Sequence, residues 1–330
     1  MSEEQYVYDI ETETGNFNVG FPLIVKNTDS IFVNFNPKHP DGTPILNKEG
    51  VQASIDLGIQ AEKYIQQFLK PPHKLEYEKT FWPFILNSKK RYVGNKYEMD
   101  VNKYKRTEMG LATKRRDYAL IVKYVMNGAL EILMNEKNIE SAIEFSRKAC
   151  RDLLAGKFNM DMLTITKSLR AHYKKPEQIG HKALAERMGK RDPGNKPKSN
   201  DRIPYVFIET YESRHTKILQ GDRIENPQYI LENNIKIDYK YYITNQIMKP
   251  VGQIFALNVE KLIGYKKPMD YFDKLYIKLK NERGKKKAYE KVRELRFQEA
   301  ASIVFGEIIR IAENRKNKVR EITDFFKVQQ

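Results

Sequence analysis

Asn27-Thr28-Asp29-Ser30 sets one carboxylate among small polar side chains, immediately ahead of a run in which Ile31, Val33 and Phe35 share a face. Such a turn at the head of a β-strand gathers oxygen ligands, so Asp29 is the first candidate for holding a hard divalent cation. Taken alone, the string also fits an ordinary turn. A second group, Lys89-Lys90-Arg91-Tyr92, concentrates three cations beside an aromatic ring. Lysine and arginine can hold phosphates and groove acceptors whatever the base sequence, although a solvated charge run has the same composition. The one cysteine, Cys150, lies on a helical pattern in FSRKACRDLLAG and reads as a buried core thiol rather than a nucleophile.

The chain is 330 residues long, enough for two or three compact units. Hydrophobic residues make up 40% and charged residues 31%, a globular rather than a disordered composition. No apolar run reaches membrane-spanning length, and the acidic start MSEEQYVYDIE lacks the regions of a secretory signal. An intracellular protein that does not enter membranes is therefore expected. A lone cysteine excludes a disulfide framework and a cysteine-rich zinc module. The net charge of +16 is uneven: residues 1–27 hold five of the 43 acids and one of the 59 bases, leaving −4 there and +20 over the rest. A surplus of that size favours a polyanionic partner, because neutralised phosphates release condensed counterions. A basic surface that only confers solubility is the alternative.

The elements that must position these groups follow from periodicity. Residues 28–36 predict a strand and the Pro/Gly-rich stretch from Pro37 to Gly50 a loop. Val51, Ile55, Ile59, Ile65 and Phe68 predict an amphipathic helix that ends before Pro71-Pro72. Residues 75–88, LEYEKTFWPFILNS, read as strands around a turn. From Arg106 to Leu257 broken helical segments dominate, with an exposed loop expected from Lys190 to Pro204. A long helical pattern from Lys287 to Lys316 carries Val292, Leu295, Ile303, Val304, Ile308 and Ile311.

Four longer strings narrow the reading: LEYEKTFWPFILNSKKRYVG (75–94), GLATKRRD (110–117), LTITKSLR (163–170) and ERMGKRDPGNKPKSNDRIPYVFI (186–208). In that order they resemble family B DNA polymerases, especially delta-like and large DNA virus members, over Thr28 to about Phe255. The resemblance implies a mixed α/β (α+β) fold. The end of a palm sheet would occupy 28–105, a mainly helical thumb 106–265 and a helical basic tail 266–330. It also implies template-directed addition of deoxynucleotides to a primer by two-metal phosphoryl transfer with Mg2+. The partners would be primer-template DNA and deoxynucleoside triphosphates. Asp29 resembles the second aspartate of the family's YGDTDS turn, with Glu78 on the following palm strand as a supporting ligand. Lys89, Lys90, Arg91 and Tyr92 match a motif that tracks the minor groove of the primer-template. Lys167, Arg187, Lys190 and Arg191 resemble thumb contacts to the duplex backbone. Asp9-Ile10-Glu11 looks like the proofreading exonuclease signature, but that domain lies far upstream of the palm, so it receives no such role.

Val25-Lys26-Asn27 stands where the family has Tyr-Gly-Asp, so the first metal-binding aspartate is missing and the chain alone is not expected to polymerise. Residues 1–27, with VYDIETETGNFNVGFPLIVKN, resemble the carboxyl-terminal piece of an intein, a short β fragment. In such elements the next residue accepts the acyl chain and the terminal asparagine then cyclises, here Thr28 and Asn27. The initiator methionine and the charge change at the junction fit a split intein. Its partner would be an upstream polymerase half carrying the amino-terminal intein piece, and splicing would rebuild YGDTDS. Lys26 replaces the usual histidine and none accompanies Gly15-Asn16-Phe17, which removes two proton donors for cyclisation.

The tail segment from Val319 to Phe326 resembles a sliding-clamp-binding peptide, with Ile322, Phe325 and Phe326 as the inserted side chains. Val319 replaces the usual leading glutamine, and an amphipathic helix end gives the same spacing. Two other readings compete: a non-catalytic DNA-binding polymerase remnant, and a chain that acts only as a splicing precursor.

Overall fold

The computed structural model describes residues 31–88, 90–210 and 218–316, together with the backbone of Leu23–Ile24. The chain divides into two compact units, residues 1–111 and 112–330. In the first, β1 (Leu23–Ile24) pairs antiparallel with β2 (Phe32–Val33). The inward face of β2 is the opposite of that expected. Phe32 packs against Phe81, Phe84 and Tyr92 with ring centroids 5.3–6.0 Å apart, whereas Val33 is exposed. Three large rings offer Phe32 more area than any partner available to Val33, and that burial sets the register.

Helix α1 (Asn47–Gln66) places Val51 and Ile55 one turn apart and buries both against Tyr97. Ile59, Tyr77, Trp82 and Val101 close around them. The helix stops at Gln66, so Phe68 does not continue the stripe; it is 68% exposed, with the ring of Tyr64 5.2 Å away. Strands β3 (Thr80–Ser88), β4 (Arg91–Tyr97) and β5 (Lys105–Met109) form an antiparallel sheet in that order. The chain therefore does not reverse direction within 80–88, although its pairing with β4 shifts register between Phe81 and Phe84. The aromatic and branched residues there make one nine-residue strand that ends at Ser88, which faces Arg91 of β4.

The second unit starts with α2 (Leu120–Glu131), extended by a wider π-type turn over Ile132–Glu136 and stopped at Lys137, which has φ 54°. Asn138 caps α3 (Ile139–Leu154) by accepting from the Ser141 amide at 3.0 Å. The short α4 (Met160–Leu163) leads into β6 (Ile165–Ser168), followed by α5 (Gly180–Arg191), β7 (Arg202–Phe207) and β8 (Ile224–Glu225). These three strands form a small antiparallel sheet, β6-β7-β8, inside a segment expected to be mainly helical. The loop expected from Lys190 to Pro204 is shorter. Helix α5 runs to Arg191, and Ile203, Tyr205 and Phe207 alternate into the core as β7 despite Pro204.

Helices α6 (Pro227–Glu232) and α7 (Tyr239–Tyr241) precede a π-type turn over Tyr242–Ile247 and α8 (Met248–Phe255). The fully buried Tyr242 hydroxyl donates to the Leu163 carbonyl at 2.7 Å and accepts from the Phe207 amide at 3.1 Å. It ties helical layer to sheet. Tyr242→Phe leaves both backbone groups unpaired and is expected to destabilise the unit by about 1–3 kcal/mol, read as a lower urea midpoint. An unchanged midpoint would show that the bridge contributes nothing.

Helices α9 (Tyr271–Arg283) and α10 (Lys285–Lys316) complete the unit. Ala300, Val304, Phe305 and Ile308 of α10 are wholly buried. Arg147 on α3 donates to the Ile303 and Val304 carbonyls at 2.7 and 3.0 Å. Arg315 donates to the Leu154 carbonyl at the end of α3 at 2.7 Å. Arg296 pairs with Glu260 and donates to the Ala256 and Leu257 carbonyls. Residues 271–316 thus contribute core helices to this unit. Cys150 is buried as expected, and burial pushes its thiol up to about 12, so it stays protonated at neutral pH.

Candidate nucleic-acid interface

In the first unit Lys90 stands between the end of β3 and the start of β4. Lys90 is exposed and has φ 60°, while Lys89 lies outside the described residues. Gly110 holds this turn from the side. Its own φ is +63°, and a Cβ there would stand 2.1 Å from the Lys90 carbonyl oxygen, so only glycine lets the end of β5 lie against the turn. Tyr92 is buried with Phe32, Phe81 and Phe84, an aromatic cluster that anchors the strand immediately after the turn. Its ring therefore packs in the core, and Lys90 projects from the fixed end.

In the second unit Lys167 is exposed on β6 and Lys190 near the end of α5. No carboxylate lies within ion-pair distance of Lys90, Lys167 or Lys190 among the described residues. Arg187 and Arg191 sit differently. Arg191 makes a two-pronged pair with Glu225, at 3.1 and 2.9 Å, and stacks 3.5 Å above the Tyr229 ring. Arg187 donates to the Gly221 and Ile224 carbonyls at 2.9 and 2.6 Å and lies 3.6 Å from Glu225. Glu225 is 4% exposed, so the two guanidiniums neutralise a buried carboxylate and hold α5 to β8. Glu225 stands 34 residues from Arg191 and 38 from Arg187, and no spacing rule could have signalled the pairing.

Two further groups escaped sequence reasoning. Arg115 pairs with Asp117 through two contacts, 2.9 and 2.6 Å. Arg115, reinforced by the Lys167 charge, holds the Asp117 carboxyl below the usual carboxylate range against partial burial. Arg202 on β7 donates to the Thr166 hydroxyl at 2.7 Å. Nearby, the Tyr173 hydroxyl accepts from the Arg170 amide at 2.7 Å and lies 3.0 Å from His181 Nε2. Burial, with the Lys167 and Arg170 charges, pushes the His181 imidazole below its ordinary value. Asp192 shapes the loop after α5 by accepting from the Asn195 side chain at 2.7 Å.

The described residues do not form a metal centre. Among them no group of three or more His, Cys, Asp or Glu side chains could hold an ion. Glu78 precedes β3 rather than lying on it, is largely exposed and pairs with Lys79. Asn27, Thr28 and Asp29, and the tail residues Ile322, Phe325 and Phe326, lie outside the described residues. Among the described residues no helix is long and apolar enough to cross a membrane.

Residues 3–257 match the model of DNA polymerase family B. This chain belongs to that family. It is 48% identical over 312 residues to a DNA polymerase of Pyramimonas orientalis virus, covering 94% of this chain and 26% of that one. It is 44% identical over 281 residues to a DNA polymerase of Acanthamoeba polyphaga mimivirus, covering 84% and 16%. The DNA polymerase delta catalytic subunit of Schizosaccharomyces pombe is 38% identical over 249 residues, covering 74% and 21%. The chain thus spans about a quarter or less of the length of these relatives. The family B match begins at residue 3, within the segment read as an intein end.

Proposed function

We propose that this chain is the palm end and thumb of a DNA-directed DNA polymerase, gripping primer-template duplex while an upstream portion completes the active site. The observation that carries this is the relationship to polymerases along almost the whole chain. We divide palm from thumb near residue 111, in keeping with the two compact units. Lys89, Lys90 and Arg91 serve the minor-groove side, with Tyr92 anchoring the strand. Lys167 and Lys190 take backbone phosphates, since both are exposed and unpaired among the described residues. Arg187 and Arg191 act through the fold, positioning Lys190. Asp29 is assigned to a Mg2+-dependent phosphoryl-transfer site with carboxylates from the upstream portion, and Glu78 at most supports it from outside. A sliding clamp engaged by Ile322, Phe325 and Phe326 would complete the partner set.

The finer proposal is that Asn27–Thr28 is a splice junction. The intein-like pattern before Asn27 and the loss of Tyr-Gly-Asp at that point support it, and the family B match from residue 3 weighs against it. Peptide mass spectrometry of source cells tests both levels. A peptide running Tyr-Gly-Asp into Thr28-Asp29-Ser30 is expected, and primer extension by the purified joined protein should follow. Asn27 found only in its original linkage to Thr28 would end the splicing proposal. Failure of the 330-residue chain to bind duplex at low salt would end the polymerase reading.

A further inference from the structure

Between Lys278 and Lys287 the chain holds six bases, Lys278, Lys280, Arg283, Lys285, Lys286 and Lys287, against one acid, Glu282. This run folds into the tip of the α9–α10 hairpin. Helix α9 ends at Arg283, Gly284 turns the chain with φ +80°, and α10 begins at Lys285. All six bases are exposed, and none has a carboxylate within ion-pair distance among the described residues. The nearest pairs, Lys274–Asp270 and Lys291–Glu294, lie on either side of the tip.

The tip is fixed, because Leu279 and Ala288 are buried just below it and α10 is locked to α3 by Arg147 and Arg315. Lys280 and Arg283 complement the dipole at the end of α9, but the lysines after Gly284 do not strengthen their helix. Three lysines open α10, where the helix dipole disfavours cations, and that first turn contains no acid. A rigid, unpaired cluster of cations close to one another matches the closely spaced phosphates of a duplex. The exposed Tyr289 and Ile277 flank it singly, so there is no apolar face of the kind that enters a lipid surface. The whole tip also lies beyond residue 257, where the family match ends.

We propose that the α9–α10 tip is an additional phosphate-contacting surface, taking the backbone of duplex DNA beyond residue 257, where the match to the family model ends. This rests on the polymerase reading and extends its grip. Binding of the full chain to a 30-base-pair duplex (roughly three turns, sequence-independent contacts) can be followed by fluorescence anisotropy over a salt series. Changing Lys285, Lys286 and Lys287 together to glutamine should make the slope of log K against log salt shallower by about 2–3. The matching triple arginine variant should keep the original slope. An unaltered slope in the glutamine variant, with the parent binding normally, overturns the inference and leaves the polymerase reading standing. Loss of duplex binding by the parent itself overturns both. If the glutamine variant loses affinity only for phosphatidylserine vesicles, the surface is a lipid contact and the proposal fails.

Discussion

Replacing Arg187 and Arg191 together by methionine is expected to destabilise the second unit by about 3–5 kcal/mol, because it strands a buried carboxylate. Glu225 is 4% exposed and receives its compensation from these two guanidiniums, save one amide donated by Asn226 at 2.8 Å. Adding Glu225→Leu to the double variant should restore most of the loss, since three packed apolar side chains then replace three charges. Urea unfolding followed by circular dichroism reads the comparison. Were the double variant as stable as the parent, the triad would be ornamental and α5 held by its apolar face alone. Were the triple variant no better than the double, the loss would come from the Gly221 and Ile224 carbonyls that Arg187 satisfies.

The second large effect is expected at Gly110. Alanine there must adopt φ +63° and push its Cβ against a backbone oxygen 2.1 Å away, so either β5 or the Lys90 turn has to move. The left-handed conformation alone costs about 1–2 kcal/mol for a residue with a Cβ. With the forced backbone shift, a total of about 2–4 kcal/mol is expected. Amide exchange along the β4–β5 ladder should then accelerate by roughly 30- to 1000-fold. Protection equal to the parent at Val93, Gly94 and Thr107 would show that the turn yields without cost.

Both effects sit where reading the sequence and seeing the fold part company. Val51, Ile55 and Cys150 were legible because a helix repeats in 3.6 residues and their burial follows from that period alone. The hairpin was misplaced by a few residues. The cations that end it looked like a ligand-binding run, and their second role as the hydrophilic reversal between two apolar strands needs the cross-strand register to be seen. Phe32 faced inward against expectation because its partners, Phe81 and Phe84, come from a strand some 50 residues later. The same distance effect governs the candidate interface. Charge and motif point to Arg187 and Arg191, yet which cations remain available to a ligand depends on Glu225, and pairing over 34 and 38 residues leaves no local trace. Lys90, Lys167 and Lys190 are exposed.

The grip of Arg147 and Arg315 between α3 and α10 also sets a clock. Arg315 reaches the Leu154 carbonyl across 161 residues of chain. At roughly 5–20 residues per second, that stretch takes on the order of 10–30 seconds to synthesise. Throughout that interval α3 has emerged but its long partner has not, and the surface later covered by Val304, Phe305 and Ile308 is open to water. Contacts so distant in sequence delay closure and lengthen exposure to wrong association. For a nascent chain, the second unit is therefore a late folder, vulnerable to aggregation until its last long helix has left the ribosome.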